Sequence, residues 1–316
     1  MLDIHKERIL VTGGLGFLGK YVVEELKLFG VDTSNIFVFG KSKFDLTKEE
    51  DVIDIYKLVQ PTVVIHLAAE VGGIGANQKN PGKYFHSNMI MGLHLVEHAR
   101  INNIKKFVQI GTACAYPKIT PIPFKEEDFW KGYPEETNAP YAIAKKSMLT
   151  MIQAYNQQYN FNGIYLIPVN LYGPGDSFDL DSGHAIPSLI RKFCAAIKNG
   201  SPKIDIWGTG TASREFLHAA DAARAIVLAT FKYKGNKPIN IGSGDEITIR
   251  ELVDKLQKIT GFDGEIEWNT HMPDGQPRRC LDVSKLEKLL DFKTNIPFDV
   301  GLKQTVDWWK EREEII

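Results

Sequence analysis

Arg8-Ile9-Leu10-Val11-Thr12-Gly13-Gly14-Leu15-Gly16-Phe17-Leu18-Gly19 is the stretch whose reading decides the fold. Ile9, Leu10 and Val11 form a short apolar run of the kind buried in a sheet, and Phe17 to Leu26 has the spacing of an amphipathic helix. Between them glycines crowd a turn. A side chain there would block the tight bend and keep the backbone away from a pyrophosphate. The helix that follows offers free N–H groups and a positive dipole end to phosphate. Two frames fit: Gly14-x-Gly16-x-x-Gly19, and Gly13-x-x-Gly16-x-x-Gly19 led by Thr12. A glycine trio alone could serve packing only. A strand before it and a helix after it make a dinucleotide site the stronger reading.

Outward from this turn, apolar runs alternate with helical patterns. Strands are expected at Ile36–Phe39, Val63–Ala69, Lys106–Gly111 and Gly163–Val169, and helices at Lys48–Leu58, Pro81–Asn102, Ala139–Tyr159 and Ala185–Lys198. That rhythm predicts an α/β protein with a Rossmann-type, doubly wound parallel sheet and its ligand at the carboxyl ends of the strands. Past Val169 the elements shorten and Gly/Pro turns multiply. The expected division is a dinucleotide-binding domain over 1–170 and a smaller substrate-binding lobe over 171–316, with segments near 210–245 returning to the first. After the second strand an Asp or Glu would mark NAD through its ribose hydroxyls. The chain has Gly40-Lys41-Ser42-Lys43 instead, which suits a 2′-phosphate and predicts NADPH, with Asp45 toward the adenine side.

The chemical centre is Tyr141-Ala142-Ile143-Ala144-Lys145, near the start of a helix. A Tyr and a Lys four apart share one helical face. An ammonium beside a phenol is expected to lower the phenol's pKa from about 10 toward a value useful for proton exchange with a carbonyl oxygen.

With Thr12-Gly13-x-x-Gly16-x-x-Gly19 and Tyr141-x-x-x-Lys145 together, the chain resembles the extended short-chain dehydrogenase/reductase superfamily, and within it the GDP-L-fucose synthase family. The narrower resemblance rests on Ala68-Ala69-x-Val71-Gly72-Gly73-Ile74-x-Ala76-Asn77, Cys114-Ala115-Tyr116-Pro117, Glu136 to Tyr141, Pro168 to Pro174, His184 to Pro187 and Arg214-Glu215-Phe216. These stretches span nearly the whole chain. The resemblance implies C3/C5 epimerisation and NADPH-dependent C4 reduction of a GDP-4-keto-6-deoxysugar. It implies Thr112 (a serine in most relatives), Tyr141 and Lys145 for reduction, and Cys114 and His184 as the acid/base pair of epimerisation. Inverting two centres beside a ketone needs a base on one face of the ring and an acid on the other, which agrees with a thiol and an imidazole.

For the cofactor the resemblance implies Gly13, Gly16, Phe17, Leu18, Gly19, Leu67, Ala68, Ala69, Lys145, Pro168, Asn170, Leu171 and His184, besides Lys41, Lys43 and Asp45. For the substrate it implies Val71, Gly72, Asn170, Lys192, Trp207, Arg214 and Asp274, with Arg191, Arg278 and Arg279 as alternatives for the diphosphate. An arginine that many relatives carry after the second strand is absent at Gly40. A homodimer is implied too, with Met89, Leu93, Val96, Met148, Met151 and Ile152 on the pairing helices.

The remaining bounds are broad. With 316 residues the chain can bury a sizeable core, and a net charge of −1 disfavours nucleic acid or an anionic membrane as main partner. Cys114, Cys194 and Cys280 lack metal-ligand spacing, and no signal or spanning segment is visible, so a reduced cytoplasmic protein without zinc is expected. Two rival functions stay open: a C4-reductase of another GDP-keto-sugar with little epimerase activity, and a non-catalytic NADP-sensing protein. Binding alone would need neither Thr112 nor Tyr141 and Lys145.

Overall fold

The elements run in an order that interleaves strands and helices through the first half: β1 (Ile9–Thr12), α1 (Phe17–Leu28), β2 (Ile36–Phe37), α2 (Glu49–Val59), β3 (Val63–His66), α3 (Ile74–Lys79), α4 (Pro81–Ile101), β4 (Lys106–Ile110), α5 (Ala139–Tyr159) and β5 (Gly163–Pro168). The second half continues with β6 (Asn170–Tyr172), α6 (Ala185–Lys198), β7 (Lys203–Trp207), β8 (Ser213–His218), α7 (Ala219–Lys232) and β9 (Ile239–Ile241). It closes with β10 (Glu246–Thr248), α8 (Ile249–Thr260), β11 (Glu265–Asn269), β12 (Arg278–Arg279), α9 (Ser284–Leu290) and α10 (Phe298–Glu313). This computed structural model describes residues 2–178, 184–272 and 276–313.

Six strands form one parallel sheet in the order β2-β1-β3-β4-β5-β9. Every residue of β1, β3, β4 and β5 is buried, because helices cover both faces; that is why these strands read as mostly apolar runs, with Thr12, His66, Lys106 and Gln109 as buried polar members. From β1 the chain winds outward to β2 and then back across to β3. The crevice opens at that reversal, outside the carboxyl ends of β1 and β3. β2 covers only Ile36–Phe37, half the expected strand, because it is an edge with one neighbour and the chain turns at Gly40 to Lys43.

Two apolar cores divide the molecule. The larger contains the sheet together with Leu217, Ala222 to Ile241 on α7 and β9, and Leu281 to Phe292. The C-terminal residues in it are joined through β9, which pairs with β5. The smaller holds Tyr172, Ile186 to Cys194, Ile204, Ile206, Leu252 to Phe262, Leu302 and Val306. Its strands are short: β10-β8-β12 with β6 alongside β8, and a separate β7–β11 pair. The three cysteines are free.

α4 and α5 lie against each other. Met148 occupies the space over Gly92, where a Cβ would come within 2.3 Å of the Met148 sulfur. Val96, Met148 and Ile152 are buried in the chain's own core, so they do not face a second copy; the exposed large apolar residues of these helices are Phe85, Leu93, Ile101 and Tyr159. Helical spacing alone could not tell which side of these helices the sheet would take. No helix among the described residues is long and apolar enough to cross a membrane.

Candidate active site

The glycine turn after β1 is built so that backbone replaces side chains. Gly13 has φ of +72°, and a Cβ there would lie 2.7 Å from the Ala68 nitrogen. A Cβ on Gly19 would lie 2.1 Å from the Gly13 carbonyl oxygen. The Gly16 N–H donates to Gly13 O at 2.9 Å, and Gly16 caps α1 with no side-chain cap and no acid in the first turn. Lys20 N is the donor that closes the first helical turn, on Gly16 O at 3.1 Å, so the N–H groups of Phe17, Leu18 and Gly19 precede the helical ladder and face an anion site. This decides between the two frames. Gly13, Gly16 and Gly19 make the cradle, whereas Gly14 is small because Val38 packs there, 2.7 Å from where its Cβ would be. Leu67 and Ala68 are held against the turn by Leu67 N to Thr12 O (3.1 Å) and Ala68 N to Thr12 Oγ1 (3.5 Å), and Ala69 follows them.

At the adenosine end, Lys41 makes a 3.1 Å ion pair with Glu70, which also meets Lys83 at 3.4 Å. The hydrogen bond to Glu70 raises the Lys41 pKa. Lys43 lies 4.8 Å above the Phe39 ring. Asp45 accepts from Thr47 N and Oγ1, a turn that orders the segment. Glu70 was not singled out by the sequence. It stands after β3, far from the lysines in the chain, and its only signal was an acid directly following Ala68-Ala69.

Tyr141 and Lys145 sit in the first turns of α5, which begins with a Pro near its N-terminus and is led in by Glu135, whose carboxylate accepts from Thr137 and Asn138. Tyr141 is buried, with the Thr112 hydroxyl near enough to its phenol to bear on its acidity. Burial raises the phenol's pKa, nearby Cys114 adds to the rise and Thr112 partly opposes it. This corrects the expectation of a lowered value. The shared helical face is real, but both groups are desolvated, and the neutral forms gain. The Lys145 ammonium is pushed down to about 8 by burial, and the Tyr165 hydroxyl donates to Lys145 O at 3.0 Å. A phenol held protonated is a loaded proton donor.

Thr112 and Cys114 share one turn after β4, in which Cys114 N donates to Thr112 Oγ1 at 3.2 Å. The Cys114 sulfur, part-exposed, accepts from Arg279 Nη1 at 3.4 Å. His184 caps α6, its side chain half exposed, with Nδ1 3.9 Å from the Asp176 carboxylate. Asp176 is buried, and its Oδ2 has no hydrogen-bond partner among the described residues. Its signal lay in Gly173-Pro174-Gly175-Asp176, a loop whose acid had no assigned task. Pro168 ends β5, while Asn170 and Leu171 open β6; Asn170 Nδ2 donates to Glu215 O at 3.1 Å.

On the substrate side, Val71 is exposed, and the Gly72 carbonyl accepts from buried Asn77 at 2.8 Å. Trp207 ends β7, largely exposed, with the Lys192 ammonium 5.7 Å from its ring; Lys192 also donates to Asp205 O at 2.9 Å. Arg214 lies on β8. Of the alternatives, Arg278 is paired with Glu246 (Nε to Oε1, 3.0 Å) and Arg191 donates to Phe178 O at 2.9 Å. Asp274 lies outside the described residues.

Glycine cradle, Tyr-x-x-x-Lys pair and polar hydroxyl converge at the carboxyl ends of one parallel sheet, and a model of the NAD dependent epimerase/dehydratase family matches residues 9–242. The chain belongs to that family. Within it, the chain is 37% identical over 302 residues to GDP-L-fucose synthase 1 of Arabidopsis thaliana, covering 96% of this chain and 93% of that one. A GDP-L-fucose synthetase from Naegleria fowleri bound to NADP superposes with a TM-score of 0.90 at 28% identity, covering 99% and 97%. A GDP-mannoheptose C4 reductase from Campylobacter jejuni, also with NADP bound, superposes at 0.87 with 27% identity, covering 98% and 100%. The backbone clearances at Gly13 and Gly19 leave no room for side chains in the turn.

Proposed function

We propose that the chain is a bifunctional GDP-L-fucose synthase, converting GDP-4-keto-6-deoxy-D-mannose by C3/C5 epimerisation and NADPH-dependent C4 reduction. One observation carries the reading: a hydroxyl and a thiol that both act on the buried Tyr141 phenol share a single turn, Thr112 to Cys114. A C4 ketone oxygen received by Thr112 and Tyr141 would place C3 or C5 within reach of Cys114. The ketone acidifies those positions. As the C–H bond breaks, the proton passes to Cys114 or His184 and the electron pair moves to the C4 oxygen as an enolate, which the Thr112 and Tyr141 hydroxyls stabilise. The other group returns a proton from the opposite face.

When bound, the dinucleotide supplies a hydride to C4. Tyr141, kept protonated by burial, gives its proton to the C4 oxygen, and Lys145 steadies the site. Glycine-turn amides hold the pyrophosphate, and Lys41 with Lys43 takes the 2′-phosphate, which favours NADPH. Trp207, Lys192 and Arg214 line the GDP side, where an arginine suits a diphosphate. Incubation with NADPH and GDP-4-keto-6-deoxymannose, followed by NMR of the sugar, tests this: GDP-L-fucose is expected.

A reductase acting without epimerisation is the second reading, favoured by the similarity to the Campylobacter reductase. A C4-reduced sugar with unchanged C3 and C5 would establish it instead. We also propose a homodimer formed through the outer faces of α4 and α5, where Phe85 and Leu93 remain exposed. Light scattering that gives a monomer mass at micromolar concentration would overturn that.

A further inference from the structure

Arg278 and Arg279 are consecutive yet do different work. On β12 they pair in register with Ser213 and Arg214 of β8. Successive side chains of a strand point to opposite faces. Arg278 therefore joins Ser213 and Glu246 on one face, where both contact the Glu246 carboxylate. Arg279 shares the other face with Arg214 and reaches across to the Cys114 sulfur at 3.4 Å, while its Nη2 donates to Gln276 at 2.9 Å.

The backbone that carries Arg279 is anchored from both sides. Leu281 N donates to the buried Glu215 carboxylate at 2.6 Å. On the other side, Phe124 N donates to Cys280 O (2.8 Å) and Asp282 N to Phe124 O (2.9 Å), zipping this strand to the segment that follows the Cys114 turn. Asn240 Nδ2 binds both Phe124 O (2.9 Å) and Asp282 O (3.0 Å) and locks the junction. The strand beneath Arg279 is thereby fixed, and its side chain is held between Gln276 and the Cys114 sulfur.

We infer that Arg279 is a positioning residue for Cys114. It sets the direction of the thiol toward the sugar and places a cation where negative charge develops when the sulfur gives up its proton. The inference rests on the reading of Cys114 as an epimerising group. It also divides labour within the pair of neighbouring arginines: Arg214 would serve the diphosphate, and Arg279 serves the proton chemistry. A charge-assisted contact that also fixes geometry is worth about 10- to 100-fold in rate.

The test uses two assays on the intact protein. Deuterium wash-in from heavy water onto the keto-sugar reports proton exchange, and oxidation of GDP-L-fucose by NADP+ reports C4 hydride transfer without it. Arg279→Gln is expected to lower the wash-in rate about 10- to 100-fold at little changed KM, at least tenfold more than it lowers oxidation, with Arg279→Lys intermediate. A rise in the GDP-sugar KM in both assays, with turnover retained, would overturn the inference and make Arg279 a diphosphate ligand. Equal loss in both assays, or no loss of wash-in, would overturn it as well. If Arg279→Gln does not melt like the parent protein, Arg279→Lys decides by the same ratio. Cys114→Ser separates the two levels: wash-in that survives that substitution defeats the epimerase reading itself, whereas wash-in lost in Cys114→Ser but kept in Arg279→Gln defeats only the role of Arg279.

Discussion

The two cores of the molecule are stabilised in different ways. Around the parallel sheet, strands four to six residues long are buried along their full length, and most of their side chains are apolar. In the smaller lobe β7 alternates exposed and buried residues, β10 has three residues and β12 two, and a buried carboxylate on β8 ties these short strands to segments bordering the larger core. Glu215 accepts from Ser243 N at 2.6 Å, Gly244 N at 2.8 Å and Leu281 N at 2.6 Å, drawing three segments together at one point. The difference teaches where each kind of chemistry can be carried. The carboxyl end of a rigid sheet suits a hydride-transfer geometry that tolerates little error, and short strands tied by polar contacts suit a lobe that grips a sugar nucleotide.

The sharpest way to break this contrast is to disable one chemistry and keep the other. Tyr141→Phe removes the C4 proton donor on the sheet side. It is expected to lower reduction about 100- to 10,000-fold while deuterium wash-in onto the keto-sugar continues. Cys114→Ser should do the reverse, nearly eliminating wash-in while NADPH still binds, and His184→Ala should match it or stall after one inversion. Near-normal formation of the doubly inverted sugar by both variants would leave the chain a plain reductase.

A stability experiment separates the cores next. Glu215→Ala orphans three backbone N–H groups and should cost about 3 kcal/mol or more, lowering the melting temperature by about 5 °C or more. NADPH affinity should change far less than the KM for the GDP-sugar. Equal losses would mean that the two cores act as one cooperative unit.

Smaller effects are expected at the adenosine end. Replacing Lys41 and Lys43 with Ala should raise the KM for NADPH about tenfold, as expected for lost charge-assisted phosphate contacts, with little change for NADH. Glu70→Gln should act in the opposite direction, because it frees Lys41 from its carboxylate. The smallest effect concerns pH. Burial depresses Lys145 to about 8, so its ammonium is present below that value and lost above it. NADPH affinity, followed by fluorescence, is therefore expected to weaken as pH rises through about 8, and to weaken less in Lys145→Arg. A flat profile would remove the charge of Lys145 from cofactor binding.

Much of the sheet was legible because parallel strands covered on both faces announce themselves as apolar runs, and because Gly13 and Gly19 stand where backbone atoms touch. Tyr141 and Lys145 were legible as neighbours on one helix, but the sense of their pKa shifts was not. Spacing reports proximity, whereas the phenol's value is raised by burial, where Ala76 and Tyr84 pack on it, and then by Cys114, with Thr112 partly opposing. In the same way, the apolar positions of α4 and α5 were visible, and Gly92 against Met148 decided which of them face inward.

By itself, then, the sequence determined what depends on local order: the strand–turn–helix that cradles a dinucleotide, the alternation that demands a parallel sheet, and the helical register of Tyr141 and Lys145. Only the tertiary structure decided what depends on residues distant in the chain meeting. It brought Glu70 to Lys41, Asp176 to His184 and Arg279 to Cys114, across 29, 8 and 165 residues. The physical reason is that hydrogen-bonding turns and helical faces are set by neighbours along the chain. An ion pair is set by where two surfaces come to rest after the apolar cores have closed.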